Sequence, residues 1–208
     1  MGNCLSDGEP ECLALSCMPS CQAGFLSKSY VSDQETAFTL REKALSWSGD
    51  DFVVYDQLFR KALIFDAKAF SFNGSRRILD PSGGHLFTAR RKNLSFRPVW
   101  RLELPGMEGS ADSKHDCEAT IIHSNRGSWG GGTFEIYRRG ELVLVCEASK
   151  LGHAFTFLTP HRTAVIAQSS TSWGQHRSAN TYRLRCGPLA DQILLIFACV
   201  VIDECLHD

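Results

Sequence analysis

The chain has 208 residues, 43% hydrophobic and 22% charged, with a net charge of -1. These are ordinary globular values, enough for one domain whose core needs no disulfides. The balanced charge excludes a chain-wide pull toward nucleic acid, so any anion site must be local.

The first thirty residues lack a basic start followed by an apolar run, so they do not read as a secretory signal. The nine cysteines are therefore expected to stay reduced. The opening Met-Gly-Asn-Cys-Leu-Ser fits the myristoylation pattern, with Gly2 as acceptor and Ser6 at the preferred position. One myristoyl chain holds a membrane only marginally, so a second signal is required. A basic patch cannot supply it, because Asp7, Glu9 and Glu11 face only Lys28 within this stretch. Palmitate on Cys4 is the expected second anchor, with Cys12, Cys17 and Cys21 as additional acceptors. The spacing of these last three fits no common zinc pattern, and no metal is expected. Residues 1–35 thus read as a flexible lipid-modified leader, and residues 36–208 as the folded domain.

From Phe38 the pattern has period two, punctuated by turns. Residues 37–56 read as two strands around Ser48-Gly49-Asp50-Asp51, and residues 61–80 as two more, broken at Asn73-Gly74. Asp80-Pro81-Ser82-Gly83-Gly84 separates Arg76–Leu79 from His85–Arg91. Phe96 to Leu104 reads as a further strand, with Pro98 indicating an edge or a bulge. A long polar loop to Asp116 follows. Strands then recur over residues 118–123, 133–139, 142–148, at Phe155 and Phe157, over 163–168, and at Tyr182, Leu184 and Cys186. Gly130-Gly131-Gly132 has no following Lys-Ser/Thr and reads as a turn, not a phosphate loop.

The chain ends in the ten-residue apolar run Ile193, Leu194, Leu195, Ile196, Phe197, Ala198, Cys199, Val200, Val201, Ile202. As a helix this run is about 15 Å long, half the thickness of a bilayer core. A helix apolar on every side and too short to span must be wrapped by protein. Pro188 suits its lead-in and Asp191 its N-terminus. Ten to twelve consecutive strands predict a sandwich or barrel, and a barrel of about twelve is too wide for its own side chains to fill. The fold expected is mainly β, a closed antiparallel barrel of about twelve strands around a central C-terminal helix.

The stretches LREKALSWSGDDFVVYD, RRILDPSGGHLFTARRK and TYRLRCGPLADQILLIFACVVIDE resemble the LURP-one-related family. That family is similar in fold to Tubby C-terminal domains and phospholipid scramblases, and the likeness covers roughly Phe38 to Glu204. It implies a twelve-stranded barrel around a C-terminal helix, the arrangement that the strand count suggests. The cysteine-rich leader is also similar to the lipid-modified leaders of scramblases.

Between Arg76 and Arg101 lie seven basic residues (Arg76, Arg77, Arg90, Arg91, Lys92, Arg97 and Arg101) and one acid, Asp80. Tubby-like domains bind phosphoinositides with basic residues of neighbouring strands, so the resemblance implies headgroup binding by Arg76, Arg77, Arg90, Arg91 and Lys92. Arginine suits phosphate because its planar fork donates two bonds. The competing reading is a solvated basic strand edge. Scramblase-like lipid transport is the alternative function. It is weakened because Arg183 to Asp191 holds one acid and two arginines, a poor start for a calcium site. A protein-interaction module is a further alternative. No catalysis is expected: His115-Asp116-Cys117 is the sole histidine cluster and sits in a polar loop. Cys146, Cys186 and Cys199 read as core residues. The expected role is membrane-local binding at the cytoplasmic face of the plasma membrane or endomembranes. Its partners would be membrane lipids, phosphoinositides among them, or a protein, with no cofactor and no nucleic acid.

Overall fold

A computed structural model describes residues 13–19, 24–42, 52–67, 75–92, 97–107, 117–126, 131–149, 154–170 and 181–207. Among these residues there are twelve strands and one α-helix. The first six strands are β1 (Thr36–Glu42), β2 (Phe52–Tyr55), β3 (Lys61–Ala67), β4 (Ser75–Leu79), β5 (His85–Arg91) and β6 (Val99–Glu103). The next six are β7 (Ala119–Arg126), β8 (Gly132–Arg138), β9 (Glu141–Ser149), β10 (Ala154–Leu158), β11 (Val165–Ser170) and β12 (Thr181–Cys186). The helix α1 is Gln192–His207.

Each strand pairs antiparallel with the next, and β1 returns to pair with β12, closing the barrel. The closing register sets Phe38 opposite Leu184 and Leu40 opposite Tyr182. All four side chains are buried, because alternation sends every second residue of each strand inward. Closure leaves no edge strand, which corrects the edge expected at Pro98. Strand β6 begins after this proline and is paired on both sides, with β5 and β7. The Pro98 carbonyl accepts a bond from His123 N at 3.2 Å, so the proline joins the β7 side through its acceptor alone. The turns expected at Ser48–Asp51 and Asn73-Gly74 lie outside the described residues.

Helix α1 threads the barrel. Ile193, Leu194, Leu195, Ile196, Phe197, Val200, Val201 and Ile202 are all buried, as are the inward residues of the strands around them. Its sixteen residues span about 24 Å, and no described helix is long and apolar enough to cross a membrane. Asp191 caps its start: Oδ1 accepts from Leu194 N at 3.1 Å, while Oδ2 accepts from Leu26 N at 2.7 Å. Burial pushes the Asp191 carboxyl up, against the pull of these two hydrogen bonds.

The described part of the stretch assigned to a leader is bonded across the barrel end where α1 begins. Ser16 N donates to Val165 O at 2.7 Å, and Met18 N to Pro188 O at 3.2 Å. Leu189 N donates to Ser32 O at 2.7 Å, and Tyr30 OH to Ala62 O at 3.2 Å. Gly187 makes the approach possible, because a Cβ there would collide with the Ser16 carbonyl and lie 2.9 Å from that of Ile166.

Candidate anion-binding face

Consecutive residues of a strand point to opposite faces, and this divides the basic cluster. Arg76 and Ile78 of β4 face inward, whereas Arg77 faces out. Arg90 of β5 lies outward, across the ladder from Arg101 of β6, and Arg91 lies on the inward register opposite Trp100. Lys92, just past β5, is exposed. The five residues expected to hold a headgroup therefore do not converge on one surface.

Arg76 leaves the set altogether, a correction to the sequence-based site. Its side chain is 6% exposed and its Nη2 lies 2.5 Å from Glu204 Oε2, in the last turn of α1. Its guanidinium carbon also sits 5.8 Å from the centre of the Trp100 ring. A cation there neutralises a carboxylate placed at the negative end of the helix dipole. Its task is to hold the plug.

The outward cations have partners too. Arg77 Nη2 is 2.6 Å from Asp66 Oδ2 on β3, and Arg90 Nε is 3.5 Å from Glu103 Oε2 on β6. The Glu103 side chain is 3% exposed, so Arg90 compensates a buried charge. Asp66, Glu103 and Glu204 all lie outside the 76–101 window, which is why the window looked so basic. Even so, Arg77, Arg90, Lys92 and Arg101 share one stretch of wall with the two carboxylates Asp66 and Glu103. Like charges opposite each other in a ladder, as Arg90 and Arg101 are, destabilise a sheet, and the Glu103 carboxylate beside Arg90 offsets this. This face is the candidate anion site.

No sequence pattern singles out Arg138. It is buried on β8 at the opposite barrel end, where Nη1 donates to the Glu118 carbonyl and lies 3.2 Å from Glu118 Oε2. Its Nη2 donates to Gly24 O at 3.3 Å. Burial would raise the Glu118 carboxyl, but hydrogen bonds from Arg139 and Arg138 outweigh it and hold the group below its ordinary range. Arg138 thus ties the segment before β1 to the barrel end.

Of the acylation positions, Gly2, Cys4, Cys12 and Cys21 lie outside the described residues, and Cys17 is exposed. Among the described residues no group of three His, Cys, Asp or Glu side chains is placed to hold a metal. Cys146, Cys186 and Cys199 are buried, and burial pushes all three thiols up. His115 and Asp116 lie outside the described residues, while Cys117 is buried with Sγ 3.1 Å from Thr120 Oγ1.

The family model for LURP-one-related proteins matches residues 36–203, from the first residue of β1 to the last turn of α1. The chain belongs to the LURP-one-related family. No curated protein matches it. Among solved structures, an X-ray structure of a protein from Arabidopsis thaliana is similar to it, with a TM-score of 0.63 and 15% identity. The match covers 88% of this chain and 98% of that one. At this identity the likeness shows the fold: this LURP-one-related barrel and the plant protein share it over almost their whole length.

Proposed function

We propose that this LURP-one-related protein is a membrane-tethered, non-enzymatic module whose barrel binds acidic phospholipids, phosphoinositides among them. The observation that carries the reading is the outward wall of β4–β6, where the half-buried Arg90 and Arg77 and the exposed Lys92 lie near one another, with the buried Arg101 behind them. A phosphate is matched by the planar forks of Arg77 and Arg90 and by the Lys92 ammonium. The tether is the leader, acylated at Gly2 and Cys4 and also at Cys12, Cys17 and Cys21, at the cytoplasmic face of the plasma membrane or endomembranes. A non-catalytic role fits thiols that burial keeps protonated, and which are therefore poor nucleophiles. Scramblase-like transport gains no support from α1, which is committed to the barrel interior.

The test uses Arg77→Glu with Lys92→Glu. The Arg77 side chain is 41% exposed and Lys92 is exposed, so neither change strands a buried carboxylate as loss of Arg90 would. Flotation with phosphoinositide vesicles should weaken at least about tenfold, since each cation near an anionic surface contributes about 1 kcal/mol. Lipid-reporter bleaching in the same vesicles should match that of protein-free vesicles. Unchanged flotation of the double variant would leave an adaptor for a protein partner as the role, and faster bleaching would indicate lipid transport.

A further inference from the structure

The turn joining β2 to β3 presents two large apolar side chains to solvent. Leu58 is 68% exposed and Phe59 is 79% exposed. A loose turn could do this by accident, but this one is tightly built. Asp56 Oδ1 accepts from Leu58 N at 2.8 Å and from Arg60 N at 2.9 Å. Asp56 Oδ2 lies 2.7 Å from Arg60 Nη2, and Asp56 N donates to Arg60 O at 2.9 Å. Phe59 itself has φ +56°, a left-handed conformation in which glycine or asparagine is at ease and a bulky aromatic is not. The chain thus holds an aromatic ring in a strained conformation and buries nothing in return. Such features concentrate where a segment meets a partner.

What it meets follows from shape, charge and position. The tip is convex, so it would enter a partner, not receive one. Arg60 is neutralised by Asp56 within the turn, and the exposed cation Lys61 follows directly, a basic residue beside two apolar ones that suits an anionic lipid interface. The Tyr30–Ala62 hydrogen bond lays the segment before β1 against β3, the strand that leaves this tip. The same segment is bonded across the barrel end at which this tip lies. The candidate anion face lies on the neighbouring strands β4–β6, toward their other end, since Arg77 pairs opposite Asp66 near the end of β3 and Arg90 opposite Ser75.

We infer that the Leu58–Phe59 tip inserts into the lipid bilayer and acts with the acylated leader to fix which end of the barrel faces the membrane. This inference deepens the tethered-module reading and rests on it for the leader. An acyl chain alone leaves the barrel free to tumble, and an inserted tip removes that freedom.

The test uses the full acylated chain and vesicles of phosphatidylcholine with and without phosphatidylserine. Leu58→Ser with Phe59→Asn keeps a residue that tolerates the left-handed turn, so the melting temperature should hold. Partition to the serine-containing vesicles should fall at least about tenfold, because each side chain withdrawn from an apolar phase is worth more than the factor it must explain. In a second measurement, Phe59→Trp should add quenching by lipids brominated in the acyl chain, over that of the parent with its four tryptophans. Unchanged partition with no added quenching overturns the inference. So does a variant that partitions normally to protein-free vesicles but leaves the membrane fraction in cells, since the tip would then dock on a protein. Gly2→Ala serves as the separate arm. If it leaves membrane binding intact the acyl tether fails, while quenching at position 59 still decides the tip.

Discussion

Arg76 of β4 and Glu204 of α1 form an ion pair at 2.5 Å that joins the barrel wall to the last turn of its plug. A barrel this wide depends on its helix for a core, and an apolar helix by itself has no preferred depth or rotation within the barrel. The pair anchors the end of the helix, as the Asp191–Leu26 and Gln192–Thr36 hydrogen bonds anchor its start. Arg76→Ala should therefore leave Glu204 partly buried without its cation and destabilise the domain by about 3 kcal/mol. Chemical denaturation would measure the loss, and restoring much of it with Glu204→Gln in the same chain would assign it to the stranded carboxylate.

The plug itself is the most sensitive element. Ile196 and Val200 are buried inside the barrel, so Ile196→Asp or Val200→Asp places a carboxylate in an apolar interior. The cost should be on the order of 5 kcal/mol or more, enough to unfold the domain. Circular dichroism should show the collapse of strand structure, while mass spectrometry should find the proposed acylation of Gly2 unchanged from the parent. A folded variant that had left the membrane would instead make the run an anchor.

Asp191 does two jobs with two oxygens, capping α1 through Leu194 N and holding the segment before β1 through Leu26 N. Asp191→Ala should cost about 1–2 kcal/mol as a lost cap. It should also speed amide exchange at Leu26, a change that a cap defect confined to the helix would not produce.

Glu118 gives a pH signature whose sign can be worked out. Hydrogen bonds from Arg139 and Arg138 outweigh the effect of burial and hold its folded-state pKa below the ordinary value of 4.5. A depressed carboxyl stabilises the fold fully above its unfolded pKa and loses that contribution as pH falls through the folded value. The stability gap between the parent and Glu118→Gln, measured by urea midpoints, should be open at pH 6 and close progressively below about pH 4.5. A gap that stayed constant down to pH 3 would place the contribution in packing and not in the charge.

The architecture was legible because it depends on local alternation and on one uninterrupted apolar run. A period of two over many short segments has few solutions, and a ten-residue run such as Ile193–Ile202 has to be enclosed. The basic cluster misled because charge neutrality is settled across strands, not along them. Arg76 found Glu204, Arg77 found Asp66 and Arg90 found Glu103, each partner lying outside the basic window. Phe59 in its left-handed turn and the bonds of residues 13–19 and 24–35 to the barrel end were also invisible to pattern.

The sequence by itself therefore determined that strands would close into a barrel around the C-terminal helix, since burial of apolar surface dictates both. Only the tertiary structure decided which charges face solvent and which are used up inside. That outcome depends on register and on pairing distances of a few ångströms, and no linear spacing encodes them.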